Sequence, residues 1–173
     1  ATADFEHLLR TAVTSGRPLR GVVHLWSLNG QAEATPTMAA IEYLLMLGCG
    51  STVALIQALV QVDAPPMPLW VVTQDAVAVA GSVPAVGQSA LWGLAGTVAQ
   101  EHPAYPCIRL DLEATSAAEN SQRLYGELMQ GSHAARLAYR QGVRYAAQLG
   151  RFVAPNTAAT PAALPVRSDS SYL

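Results

Sequence analysis

The tyrosines at 43, 105, 125, 139 and 145 are among the side chains in this sequence that could hand a proton to a substrate carbonyl. A tyrosine does this well when a nearby lysine lowers its pKa and a serine hydroxyl shares the carbonyl oxygen. On a helix, that lysine falls four residues on. The residues at that spacing are Leu47, Arg109, Met129, Val143 and Leu149, so none of these tyrosines has the partner. The chain contains no lysine at all, because all ten of its basic residues are arginine. A Schiff base, a phosphate-loop lysine and a lysine-assisted proton relay are thereby excluded. A GC-rich coding sequence would favour arginine in the same way, but the chemical exclusion holds whatever its origin.

The other reactive types are dispersed. His7, His24, His102 and His133 have no metal-ligand spacing to another His or Cys, and there is no Ser/His/Asp grouping or Gly-x-Ser-x-Gly elbow. His24 lies in an apolar run and reads as a packing residue of the core or an interface, His102 ends a helix, and His7 and His133 read as exposed. Cys49 and Cys107 lie far apart and read as buried free thiols of a reducing compartment rather than a disulfide. A dinucleotide site needs a glycine-rich turn after a strand, so that amides at a helix N-terminus hold the pyrophosphate. The one candidate, Gly48-Cys49-Gly50, has Val53 at the third glycine position and falls inside a helical stretch. A helix kink or close packing of small residues is the better reading. No residue is therefore assigned to catalysis, to cofactor binding or to a metal.

Trp26, Trp70 and Trp92 could wall a ligand pocket, but on strand and helix faces they read as core packing. Arg136, Arg140 and Arg144 could meet an acidic partner, with a solvated hairpin face as the simpler reading. Net charge is −2 with scattered basic residues, which gives no phosphate-tracking stripe and argues against nucleic acid. Charged residues make up 13% against 51% hydrophobic, well below the roughly 25% charged usual for soluble domains. Either the core is large or a partner covers some surface. The longest apolar stretch, Met38 to Val62, is interrupted by Glu42, Gly48, Gly50, Ser51 and Gln57 and does not read as a membrane span. With no signal-peptide pattern, the expected location is cytoplasmic.

At 173 residues, one domain is expected. Asp4 to Val13 carries apolar residues at helical spacing, with Asp4 as an N-cap and Gly16 and Pro18 as stops. Gly21 to Leu28 reads as a buried parallel strand. Thr35-Pro36-Thr37 offers a cap hydroxyl and a first-turn proline for a long helix reaching Val62. Asp63-Ala-Pro-Pro-Met-Pro68 breaks it, and Leu69 to Thr73 is a second strand. Residues 74–83 allow a short strand or a loop, and Pro84 to Glu101 reads as a helix closed by His102-Pro103. Cys107 to Leu112 is a third strand, and residues 117–130 form a helix with Leu124, Leu128 and Met129 on one face. Ala135 to Arg140 and Val143 to Leu149 flank Gln141-Gly142 as a β-hairpin. Ala154 to Pro165 reads as a semi-rigid linker, followed by a new strand at Ser170 to Leu173. The alternation predicts an α/β fold, a Rossmann-like parallel sheet with helices on both faces and a C-terminal hairpin.

Five stretches occur together: Leu19-Arg-Gly-Val-Val-His-Leu-Trp-Ser-Leu28, Leu69-Trp-Val-Val-Thr73, Leu91-Trp-Gly-Leu94, Glu101-His-Pro103 and Val143-Arg-Tyr-Ala146. In this order they resemble the structural subdomain of ketoreductases in modular polyketide synthases, over about residues 4–153. In that family a ketoreductase is a fused pair of units like short-chain dehydrogenases, the first truncated and silent, the second binding NADPH and reducing a β-keto group. The resemblance implies that residues 1–153 are the structural subdomain, without the family's first strand and helix. Residues 154–173 are then a linker and the beginning of the catalytic unit's first strand, which the glycine-rich loop would follow. If the Pro84 to Glu101 helix is laid over the catalytic helix of such enzymes, Leu91 falls at the tyrosine position, Ala95 at the lysine position, and Thr73 near the serine. The implied role is a non-catalytic scaffold that binds no cofactor and packs on the downstream NADPH-dependent subdomain. The acyl carrier protein and neighbouring synthase domains are further candidate partners. The competing reading is a stand-alone interaction or dimerisation module that uses its apolar surface.

Overall fold

The computed structural model describes residues 2–29, 37–82, 84, 86–131 and 134–151. His133, the Thr35-Pro36 cap, the linker and the terminal strand expected from sequence lie outside the described residues. Helix α1 spans Thr2–Thr14, so Asp4 sits in its first turn rather than capping it. Leu9 is buried and Phe5 packs beside it, one turn away on the same face.

Strand β1 is only Val22–His24, shorter than the expected Gly21 to Leu28. The reason is local. After His24 the chain turns into a 3-10 segment, Trp26–Asn29, and Ser27 Oγ donates to the Val72 carbonyl at 2.5 Å. A side chain there takes the place of a further ladder bond. Trp26 is left 47% exposed against Phe5, with ring centroids 5.1 Å apart, rather than in the core.

The long helix is real but composite. Thr37 is its N-cap, accepting from the Ala40 amide, ahead of α2 (Met38–Leu45). A π turn at Met46–Gly50 then leads into α3 (Ser51–Gln61). Hydroxyls add bonds to carbonyls of the turn: Thr52 Oγ1 donates to Gly48 O at 2.8 Å, and Ser51 Oγ to Leu47 O. Gly48 sits close to a later helix, since a Cβ there would meet Leu91 Cδ2 at 3.3 Å. Gly48-Cys49-Gly50 thus lies within the helical stretch, with Gly48 closely packed on Leu91. By length and composition alone Met38–Gln61 could cross a membrane, yet seven residues of α3 are buried in the core.

Strands β2 (Leu69–Gln74) and β3 (Cys107–Leu112) form the sheet centre, paired in parallel from Leu69 with Cys107 to Gln74 with Leu112. Helix α4 (Val86–Glu101) joins them, and the described part of residues 74–82 beyond β2 is a turn-rich loop. Helix α5 (Ala117–Gln130), capped by Ser116 and ended by left-handed Gly131, leads to β4 (Arg136–Arg140). Strand β5 (Val143–Ala146) returns antiparallel through a two-residue turn in which Gln141 and Gly142 both have positive φ. It stops short of Leu149, which is 98% exposed.

The sheet order is β1-β2-β3-β4-β5, parallel except for the last pair. On one face Leu9, Leu55, Leu59, Val71, Leu91 and Cys107 form the larger core beneath α1, α3 and α4. On the other, Trp70, Val72, Leu110, Leu112 and Leu137 pack with Leu124 and Leu128 of α5. Met129 points away and is 65% exposed, unlike the expected stripe.

Candidate functional site

Open α/β sheets place their sites at the C-terminal ends of the parallel strands. Here those ends bring Thr73 of β2, Asp111 of β3 and Arg140 of β4 together in the interior. Asp111 Oδ1 accepts from Thr73 Oγ1 at 2.6 Å and from the Ala76 amide at 2.9 Å. Its Oδ2 accepts from the Val77 amide at 3.3 Å and from Arg140 Nη2. The guanidinium also donates to Val77 O at 2.7 Å, Tyr139 O at 2.7 Å and Ser82 Oγ at 3.2 Å. Asp75 lies at 3.7 Å from its Nε. Arg140 is thus 5% exposed, which corrects its assignment to a solvated hairpin face.

This arrangement has a chemical consequence. All four carboxylate lone-pair positions of Asp111 are occupied, and the Thr73 proton is committed to Asp111. A hydroxyl so engaged does not hold a substrate carbonyl. What the network does instead is fasten the loop after β2 across the strand ends. Gln88 and Ser89 of α4 complete that seal, Gln88 Oε1 accepting from the Gln74 amide at 2.9 Å and Ser89 donating to Ala76 O at 2.7 Å. At the tyrosine and lysine positions inferred from sequence, Leu91 is 2% and Ala95 0% exposed, both in the core beneath α4.

The remaining polar groups are arranged in the same manner. His24 is buried, its Nε2 2.6 Å from Ser51 Oγ, and burial pushes its pKa down to about 4. Ser51 Oγ also contacts Leu47 O, and among the described residues the His24 Nδ1 has no hydrogen-bond partner. Among the described residues no carboxylate completes a triad there. Glu127 of α5, 2% exposed, accepts from Tyr139 Oη at 2.6 Å and from Arg144 Nε and Nη2 at 2.6 and 3.1 Å. Burial and that carboxylate raise Tyr139 to about 12, which makes it a poor acid. Glu113 accepts both turn amides, Gln141 and Gly142, and pairs with Arg123 at 2.7 Å. Tyr105 donates to the carbonyls of Leu59 and Ala64.

Burial raises the Cys107 thiol to about 11, and half-buried Cys49 shifts the same way, so both favour the neutral thiol over the thiolate. Among the described residues no three His, Cys, Asp or Glu side chains gather for a metal. The amides of Gly48, Cys49 and Gly50 lie inside a helical turn rather than at a helix start, so they do not make a pyrophosphate cradle. A cleft of about 260 Å³ opens by the ends of β2 and β3, lined by Leu25, Leu28, Gln74, Leu112, Thr115 and Leu124 among others, without an ionisable group.

Sequence reading missed Asp75, Asp111, Glu113 and Glu127. For Asp111 a signal exists: it alternates with Cys107 and Arg109 on one side of a strand otherwise apolar.

Comparison with known proteins gives a consistent answer. Residues 3–149 match the family described as polyketide synthase extender module SpnB, Rossmann fold domain. Polyketide synthase GfsA of Streptomyces halstedii is 34% identical over 98% of this chain, which spans only 2% of that protein's length. A structure of A-type ketoreductases from a modular polyketide synthase superposes with a TM-score of 0.67 at 30% identity, over 84% of this chain and 30% of that one. The adenylation, ketoreductase and pseudo-Asub structure of a keto acid-selecting NRPS module gives 0.72 at 25% identity, over 84% of this chain and 12% of that one.

Proposed function

Given that this chain belongs to the Rossmann-fold domain family of polyketide synthase extender modules, we propose that it is the non-catalytic scaffold half of a ketoreductase. In this reading residues 2–151 pack against a second, NADPH-dependent unit that reduces the β-keto group of a carrier-bound polyketide. They hold that unit's elements in place and contribute neither a catalytic residue nor a cofactor contact.

The observation that carries the proposal is α2. It is strongly apolar, yet none of its residues is buried. Met38 is 71%, Tyr43 61% and Met46 70% exposed, and Val53 and Val60 extend the stripe along α3 at 41% and 53%. Within α3, Val53 and Val60 are spaced by seven, the period of a helix-to-helix seam, and Met46 precedes them across the π turn. Burying one such side chain is worth on the order of 1–2 kcal/mol, so the stripe is costly to leave in water. The saturated strand-end network supports the silent half of the reading, since its polar groups are spent on each other.

Co-expression with the downstream unit tests this. Met46→Glu and Val53→Glu should abolish co-purification and reductase activity of the pair while leaving the far-UV circular dichroism of this chain unchanged. Retained association with both variants, or micromolar NADPH binding by this chain by itself, would sink the proposal. A tight self-dimer dispersed by the same variants would favour a dimerisation module instead.

A further inference from the structure

Arg109 and Arg136 are direct cross-strand partners on β3 and β4, on the face of the sheet that carries α4. Like charges set opposite each other destabilise a sheet. Among the described residues neither arginine has a carboxylate partner, whereas the other three that pack on the sheet each do: Arg123 with Glu113, Arg140 with Asp111, Arg144 with Glu127. Arg109 Nε is buried with no partner, and its Nη1 reaches only the Trp92 carbonyl, at a long 3.4 Å. The guanidinium carbon lies 5.8 Å from the Trp92 ring centre. On α4 a Cβ at Gly96 would stand 2.9 Å from Arg109 Nη1, so that glycine makes room for the cation.

Beside this pair lies a cleft of about 310 Å³, walled by Trp92, Arg136, Ala138 and Tyr145 with Val77 and Val79 at its rim. Its lining is apolar apart from Arg136 and the Tyr145 hydroxyl, and its volume suits one or two side chains. A guanidinium fork beside an apolar wall is a receptor for a planar oxyanion on an apolar arm. We propose that Arg109 and Arg136 receive the carboxylate of an Asp or Glu, flanked by apolar residues, from a neighbouring domain of the synthase polypeptide. The cleft and the exposed α2–α3 stripe share no residue, so the proposal stands whether or not that stripe is the scaffold contact. Charge complementarity selects the occupant: among the described residues this cation pair has no acid, whereas each other arginine packed on the sheet has one.

The absence of lysine supplies the experiment. In the full-length synthase, Arg136→Lys places a single side-chain amine in this region, and Arg109→Lys does so separately. A carbodiimide activates a carboxylate in contact with it as the O-acylisourea. The amine then displaces the urea to form an amide, which peptide mass spectrometry locates. Arg123→Lys, which should couple to Glu113, reports that fold and reaction are intact, and exposed Arg20→Lys gives the background. The expected result is an amide from position 136 to an Asp or Glu of another domain, several-fold above the Arg20→Lys background. Coupling only to carboxylates of residues 1–173, or none at 136 and 109 while Arg123→Lys couples, overturns the proposal. So does loss of coupling in millimolar inorganic phosphate but not in chloride of equal ionic strength, which would identify a free-anion site.

Discussion

Replacing Arg140 by methionine keeps much of the side chain's length and removes the charge that faces Asp111. Asp111 is 0% exposed, so the carboxylate left behind cannot turn to water. Stripping one partner from a buried ion pair costs about 3–5 kcal/mol. Asp111 keeps its bonds from Thr73, Ala76 and Val77, which places Arg140→Met near the lower end, about 3 kcal/mol. Against a domain stability of about 5–15 kcal/mol, that is a large fraction. Urea unfolding followed by tryptophan fluorescence should show the midpoint fall with little change in slope. Hydrogen exchange should locate the loss at the Ala76 and Val77 amides, because the loop they hold is fastened through the same carboxylate. Asp111→Asn should be about as costly, and the double variant should fall short of the sum by about 0.5–3 kcal/mol, as coupled partners do. A cost for Arg140→Met below about 1 kcal/mol, or strict additivity in the double variant, would refute the claim that this pair is the fastening.

The pH dependence has two windows. His24 titrates near 4 when folded and 6.5 when unfolded, so the unfolded chain takes up the proton first. Stability is therefore full above about pH 6.5 and declines towards pH 4, by up to about 3 kcal/mol, and His24→Gln should flatten the profile in that interval. For Glu127, burial opposes the charged form, but the bonds from Arg144 and Tyr139 outweigh it and hold its pKa below the ordinary 4.5. Its contribution is present above pH 4.5 and vanishes as the pH falls through the lower folded value, a loss that Glu127→Gln should abolish in acid unfolding curves. Installing the dehydrogenase pair as Leu91→Tyr with Ala95→Lys should destabilise the fold by more than about 3 kcal/mol, since both sites are filled and the lysine would be buried uncharged. Thermal scanning reads that shift, and a gain of NADPH-dependent reduction would contradict it.

Helix α5 and strand β3 were legible to the residue because their signals are local: Ser116 caps, Gly131 stops, and proline precedes Cys107. The hairpin turn was legible because Gln141-Gly142 leaves few alternatives. By contrast β1 ends early on account of a hydrogen bond from Ser27 to Val72, a partner 45 residues away. Arg140 was misread for a related reason. Its carboxylates come from β3 and the loop after β2, and only the sheet order sets them beside β4. The apolar character of Leu91 and Ala95 could be read directly, but that Thr73 is tied to Asp111 could not, since 38 positions separate them.

The π turn at Met46–Gly50 carries one residue more than an α turn would, which offsets the angular phase of α2 from that of α3 by roughly 100°. The rod thereby holds two roles at once, its second half committed to the core and its first half displayed. Removing a single residue from this stretch would swing α2 around its axis, carry Leu44 off Gly87 and turn Met38 and Tyr43 to a new bearing. Conservative exchanges of side chains would leave that bearing intact. The length of the segment, more than its chemistry, is therefore what natural variants of this domain should be unable to change.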